Sequence, residues 1–544
     1  MLEGLLLVFM SLAMQDWEHL QVEGTGFFRT EEIDGVWWLV DPSGKAFISK
    51  GVNHVTFRGD HSPALGRSPY HDFVSKKYES HQDWAETVVE RMKGWGFNTI
   101  GAWSDSETYV YDMAYTPILN IGANAGGDWR KGVFPDVFSE KFREAAEASA
   151  LKDCAPRRDD PMLLGYFIDN ELRWAADWRS ENDLFDDFLA FPAGSPGKNA
   201  LMTMLKGMYE NIDGLNKSWQ TEIGSFDDIE KASSLSELGV EFPSPEDQKF
   251  AGLPMPKPAA KLYLNQTYGS LQKVNEVYNT NASSYDELLT KDFLIKLSEE
   301  IQILNLPREF IIMGLEMIYG NLEKVNKAFE TDFNSYDELI DAFYNKPSGE
   351  SPVVEEIKKV ESKFLEKVAE QYFKVCNEAI KKYDPNHLIL GCRFAGYAPT
   401  EVVKAMKNYV DVVSYNNYSK TAPLERLEEI YKITGKPIML TEFSFKAMDS
   451  GLPNTKGAGS PVETQQDRAD LFDGYVTALM EQPYMVGFHW FEHADEPAEG
   501  RFDGENSNYG LVNIKDETWE ILTSRMKEVN AKIEKIHINS GGKE

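Results

Sequence analysis

Cysteine is scarce in this 544-residue chain: Cys154, Cys376 and Cys392 are the only three. The number is odd and no Cys-x-x-Cys occurs, which excludes a disulfide framework and a thiolate zinc site. Each reads as a small buried hydrophobe. Basic charge is also short, with 56 Lys and Arg against 88 Asp and Glu, for a formal net charge of -32. Phosphates repel such a surface, so nucleic acid and anionic membrane are excluded as partners. After the first residues, no apolar run approaches the roughly 20 needed to span a membrane. His-Glu-x-x-His, phosphate-loop and Gly-x-Ser-x-Gly motifs are missing as well. The histidines His54, His61, His71 and His81 are irregularly spaced, so no metal and no cofactor are expected.

What is present is a large apolar content, 42% hydrophobic and 12% aromatic, enough for a substantial core. Leu5 to Met14 resembles the apolar part of a signal peptide, although Met1-Leu2-Glu3-Gly4 carries no Lys or Arg. Residues 1–14 are therefore a candidate signal segment, and the expected location is secreted or periplasmic.

From Thr25 to Ala46 the sequence reads as a short N-terminal β-hairpin, with Asp41-Pro42-Ser43-Gly44 as a turn. Apolar strands then alternate with amphipathic helices, the pattern of parallel βα units. Eight strands are expected: Phe47–Asn53, Phe97–Trp103, Pro117–Ile121, Leu163–Ile168, His387–Phe394, Val410–Asn416, Pro437–Thr441 and Met485–Phe491. The fold class is α/β, read as a (β/α)8 TIM barrel of about 250 residues with additions. Residues 25–171 form its first half with the hairpin, 172–350 a long helical insertion after strand four, and 351–536 its second half.

The insertion repeats itself. Tyr209, Asn216 and Phe226 recur as Tyr268, Asn275 and Tyr285, then as Tyr319, Asn326 and Tyr336, with spacings of seven and ten each time. Each unit reads as helix, capped loop, helix. One reading is a lid over the barrel mouth; the second and third copies read better as duplicated packing modules. The Pro-rich stretch from Phe242 to Pro258 reads as a linker.

Two strands run straight into a glutamate: Leu163-Leu164-Gly165-Tyr166-Phe167-Ile168-Asp169-Asn170-Glu171 and Pro437-Ile438-Met439-Leu440-Thr441-Glu442. Strand C-termini are where parallel barrels carry catalytic groups. Two carboxylates there are what glycoside hydrolysis needs, one protonated and one ionised. Glu171 is the expected acid and then base, and Glu442 the expected nucleophile. Asn170 is expected to bind the hydroxyl beside the anomeric carbon. Tyr415 is expected to donate to Glu442, and Trp490 to floor the sugar site. Asn53, His54, Trp103, His489 and Glu492 also end strands and are candidate hydroxyl binders, with structural service an equal reading.

Gly165 to Glu171, Tyr383 to Phe394, Leu440-Thr441-Glu442-Phe443-Ser444-Phe445, Gly487 to Phe491 and Gly500 to Asn506 together resemble glycoside hydrolase family 50, the β-agarases of clan A. The likeness covers about Thr25 to Gly194 and Val354 to Val529. It implies a retaining mechanism with Glu171 as acid/base and Glu442 as nucleophile, their carboxyl groups about 5–5.5 Å apart. It also implies cleavage of β-1,4 bonds in agarose-type galactan, commonly releasing a disaccharide from a chain end. The alternative is an exo-β-galactosidase or another clan A β-glycosidase acting on short oligosaccharides. The tripled insertion departs from the family pattern.

Overall fold

The computed structural model describes residues 20–240, 257–290, 321–329, 331–343 and 352–542, with scattered positions between 293 and 320. The candidate signal segment and most of the Pro-rich stretch lie outside the described residues.

The N-terminal hairpin forms, with one change. Strands β1 (Arg29–Ile33) and β2 (Val36–Val40) pair antiparallel and turn at Asp34 and Gly35. Both turn residues have positive φ, 52° and 77°, as a tight hairpin turn requires. The expected Asp41–Gly44 turn leads instead into a third strand, β3 (Ala46–Phe47), paired with β2. Asp41 organises that turn by accepting from the backbone N–H groups of Ser43 and Lys45.

Seven strands then build one parallel sheet: β4 (Ser49–Val52), β5 (Thr99–Ile100), β6 (Ala114–Tyr115), β9 (Phe394–Ala395), β10 (Val413–Asn416), β11 (Ile438–Phe443) and β12 (Met485–Trp490). Their spatial order is β6-β5-β4-β12-β11-β10-β9. A separate parallel pair joins β7 (Gly165–Tyr166) to β8 (Leu388–Ile389). All six residues of β11 and of β12 are buried, which is why both read as unbroken apolar runs. Parallel bridges Tyr115↔Leu163 and Ile118↔Phe167 tie the β7 segment to β6. On the other side Asp411 N–H donates to Ile389 O at 2.9 Å, between the β8 and β10 segments. The architecture is α/β.

Helices cover the sheet for reasons visible in their sequences. In His81–Gly94, Ser80 caps the start and Trp84, Ala85, Val88, Val89 and Met92 make the buried stripe. Helix Gln465–Met480 opens with a Thr464/Asp467 capping box. Helix Pro352–Tyr383 buries Ile357, Val360, Phe364, Val368, Tyr372, Cys376 and Ile380 along one face. All three cysteines are buried and free. Two helices follow the last strand, Glu520–Asn530 and Ile533–Ile538.

The repeat has a structural basis. Asn216, Asn275 and Asn326 each donate to the carbonyl seven residues on, at 2.8 Å. Each also accepts from a threonine five residues on and from the backbone N–H seven on. One asparagine thus staples each loop. Leu215 and Trp219 of the first copy join the main core. The second and third copies have small cores of their own, around Val274 and Leu288 and around Val325 and Leu339.

Candidate active site

Glu171 and Glu442 open onto one cavity of about 940 Å³. The chain reaches it through unusual backbone. Glu171, His54, Trp103 and Arg393 are not glycines, yet their φ angles are 50°, 54°, 58° and 50°. Such left-handed residues cost free energy and persist where the surroundings fix them. Here Glu171 N–H donates to Arg393 O at 3.0 Å, and His54 N–H donates to Ala102 O at 2.8 Å.

Arg393 is the hub. It is fully buried, with its guanidinium 4.4 Å from the Trp103 ring centroid and 5.1 Å from that of Phe167. Its Nη1 lies 3.0 Å from Glu442 Oε1 and donates to Asn170 Oδ1 at 3.0 Å. Its Nη2 donates to Thr441 O at 2.7 Å. Asn416, the last residue of β10, carries the network onward. Its Nδ2 reaches Asn170 Oδ1 at 3.2 Å and Glu171 Oε1 at 3.1 Å. One continuous set of donors therefore spans from Glu442 to Glu171.

Glu442 is 4% exposed. Burial pushes its carboxyl up to about 7; Arg393 opposes that rise and the charge of Glu171 adds to it. Tyr418 donates to Glu442 Oε2 at 2.8 Å and also favours the ionised form. Burial raises Asp169, beside the site, to about 7, against the hydrogen bonds from Tyr372 and Gly122.

Of the residues expected from the sequence, Asn170, Glu171, Glu442, His54 and Trp103 line the cavity. Five do not. Tyr415 is buried and donates to the Gly396 carbonyl, because successive strand side chains point to opposite faces and Asn416 takes the cavity side. Trp490 is fully buried against Phe443, Phe445 and Phe472, and its Nε1 donates to Tyr509 O at 2.8 Å. It is a core residue, and Phe491, its neighbour, faces the cavity. Asn53 ties strands together, donating to Thr441 O at 2.8 Å and accepting from Ala102 N–H at 3.0 Å. His489 sits 2.8 Å from Ser49 Oγ, and burial pulls it down to about 3. A Cβ on Gly51 would fall 2.4 Å from the His489 ring, so that strand position needs glycine. Glu492 is buried behind His54, to whose Nδ1 it is bonded.

Sequence reasoning assigned no role to Arg393, Asn416 or Tyr418. An arginine inside an apolar strand is a signal, since a buried cation needs partners. Tyr418 lies in the loop beyond β10, where no periodicity marks it. Trp129, at the start of a short 3-10 helix, and Trp178, Arg179 and Phe502, from loops, also line the cavity.

Among the described residues, one group has the composition to hold a cation: His54, Asp60 and Glu492, whose donor atoms lie within 4.8 Å of one another.

No family model matches the chain. Beta-agarase B of Vibrio sp. (strain JT0107) is 26% identical over 583 residues, covering 94% of this chain and 48% of that protein. Beta-agarase A of the same organism is 26% identical over 566 residues, covering 93% and 45%. The chain thus spans about half the length of the curated relatives it matches. A solved exo-beta-agarase superposes with a TM-score of 0.66 at 24% identity, covering 95% of this chain and 66% of that one. PfGH50B gives 0.66 at 22% identity, covering 95% and 67%, and the agarase AgWH50C gives 0.63 at 23%, covering 94% and 66%. In sequence and fold the chain is similar to the agarases of glycoside hydrolase family 50.

Proposed function

We propose that this chain is a retaining glycoside hydrolase that cleaves β-1,4 bonds of agarose-type galactan, working from a chain end. The observation that carries the reading is the joining of Glu171 and Glu442 by Arg393, Asn170 and Asn416 at one cavity. The likeness to curated agarases supports the substrate, and the fold likeness includes a protein described as an exo-beta-agarase.

Glu442 attacks the anomeric carbon and Glu171 gives its proton to the departing glycosidic oxygen. The resulting glycosyl-enzyme is hydrolysed by a water that Glu171 then deprotonates. The oxygen of Asn170 is held by two donors, from Arg393 and Asn416. That orients its NH2 as the group for the hydroxyl beside the anomeric carbon. Arg393 and Tyr418 favour the ionised, attacking form of Glu442 and so limit the rise to about 7 that its burial causes.

We further infer that the parallel strands close into a (β/α)8 barrel with the helical insertion after strand four. Backbone hydrogen bonds support this. Phe167 N–H donates to Pro117 O, Ile168 N–H to Gly391 O, and Asp411 N–H to Ile389 O. Both glutamates then lie at strand C-termini, the catalytic end of such barrels. Residues 25–171 and 351–536 are its halves, and 172–350 the insertion. Export is inferred from Leu5 to Met14; among the described residues no helix is long and apolar enough to cross a membrane.

The test is to incubate the protein and its Glu442→Ala variant with agarose, porphyran and an aryl β-galactoside and size the products. Disaccharide from agarose, absent with the variant, is expected. Turnover of the aryl galactoside alone would replace the polymer reading with the short-oligosaccharide one.

A further inference from the structure

The tripled insertion has no part in the chemistry above, yet one of its copies reaches the wall of the site. The second and third copies hold a glycine at the same place, Gly269 and Gly320, directly after Tyr268 and Tyr319. Both have positive φ, 76° and 93°, and both close a helix, donating to Asn265 O at 2.9 Å and to Glu316 O at 2.8 Å. Their surroundings differ. A Cβ on Gly269 would meet nothing within 4 Å among the described residues, whereas one on Gly320 would lie 3.5 Å from Thr421 Cγ2. The Thr421 hydroxyl donates to the Gly320 carbonyl, 101 residues away in the chain.

Thr421 belongs to the segment that follows β10 and carries Tyr418. The start of that segment is tied down from inside. Asn417 N–H donates to Glu442 O at 2.9 Å, and the Tyr475 hydroxyl donates to Asn417 Oδ1 at 2.9 Å. Ser419 Oγ lies within hydrogen-bond distance of both Asn417 Oδ1 and Thr421 O, and so links start to end. The end is tied from outside, by Lys420 to Pro461 O at 3.3 Å and by Thr421 to the third copy. Between these ties Tyr418 donates to Glu442 Oε2 at 2.8 Å.

A hydrogen bond weakens steeply once its distance or angle slips. Fixing the far end of so short a loop therefore bears on the bond at its middle. The third copy is built to stay in place: it has a core around Val325 and Leu339, and Asn326 staples its loop with three hydrogen bonds.

We propose that the third helical copy braces the loop of Tyr418, with Thr421 as a positioning residue that keeps the Tyr418 hydroxyl on Glu442. This rests on the reading of Glu442 as the nucleophile. The copy then acts on the site from outside, through one loop, and the second copy does not.

The experiment records the pH profile of kcat/KM for wild type, Thr421→Val, Tyr418→Phe and the double variant. The substrate is whichever of an agarose-derived hexasaccharide and an aryl β-galactoside wild type cleaves. Thr421→Val keeps the shape and loses the donor. Arg393, Glu171 and Arg501 also face Glu442; Glu505 and Tyr509 face Tyr418, and Lys324 and Asp467 face Lys420. The substitution alters none of these charges. Its acidic limb should stand roughly half a unit higher, because ionised Glu442 loses part of one hydrogen bond. In the double variant the limb should stay where Tyr418→Phe alone puts it, since both act through that bond. Asn326→Ala should move the limb the same way as Thr421→Val, and Asn275→Ala, its counterpart in the second copy, should not. An unmoved limb in Thr421→Val and Asn326→Ala, or full addition of the two shifts in the double variant, overturns the brace. If wild type cleaves neither substrate, the glycosidase reading fails, and hydrogen exchange judges the brace by itself. Faster exchange in Asn417–Thr421 with Thr421→Val and Asn326→Ala, but not with Asn275→Ala, upholds it; unchanged exchange there overturns it.

Discussion

The Tyr418 hydroxyl donates to Glu442 Oε2 across 2.8 Å, from the loop beyond β10 and not from the strand itself. Burial holds Glu442 up to about 7, and this hydrogen bond opposes the rise. The ionised form attacks, so kcat/KM should fall as pH drops through about 7. Tyr418→Phe removes a bond to a charged acceptor worth about 1.5–3 kcal/mol, which moves the acidic limb upward by about one unit or more. Tyr415→Phe should leave the limb in place. The check is the pH profile of kcat/KM for the three proteins.

Loss of either carboxylate should be severe but distinguishable. Glu442→Ala should lower kcat by roughly 10³-fold or more, as expected when a nucleophile is removed. Glu171→Ala should cost about 10²–10⁴-fold, and least on an aryl galactoside whose leaving group needs little protonation. Added azide should restore part of the Glu171→Ala rate and yield a β-glycosyl azide, detected by mass spectrometry and NMR.

Arg393→Lys keeps the charge and loses the fork that serves Glu442 and Asn170 together. The expected result is a fall in kcat of about tenfold or more with the fold preserved by circular dichroism.

Trp490→Phe separates core from site. It removes the shorter of two hydrogen bonds to the Tyr509 carbonyl, leaving that from Glu492 N–H at 3.4 Å, which costs about 0.5–1.5 kcal/mol of stability. Urea melts should show that loss, and KM should not move.

Asn275→Ala removes three hydrogen bonds from the loop of the second copy, about 2–3 kcal/mol. Hydrogen exchange should quicken in Leu271–Leu288 while turnover of an aryl galactoside is unchanged, since that copy has its own core.

Legibility followed burial. The runs at Ile438–Phe443 and Met485–Trp490 are buried on both faces, so composition alone marked them as strands. Glu171 and Glu442 were legible because an acid closing an apolar run is costly without a task. Which face a strand-end residue takes was harder. Tyr415 and Asn416 are adjacent, and a register shift falls between them against β11, so counting along the strand does not say which of them meets the cavity. Trp490 and Phe491 posed the same choice. Trp178 and Tyr418 sit in loops whose path is set by tertiary contacts such as Asp177–Arg179, and no local pattern announces those.

The pairing of Gly165–Tyr166 with Leu388–Ile389 has a consequence for synthesis. At roughly 5–20 residues per second, the partner of β7 is translated roughly 11–44 s after it. The strand β4 waits longer, for Gly487–Trp490. Until then the nascent first half carries unsatisfied strand edges on both flanks, the kind of surface that chaperones shield. The second and third helical units made in the interval have small cores of their own, so the ribosome delivers self-packed modules between two halves of an unfinished sheet.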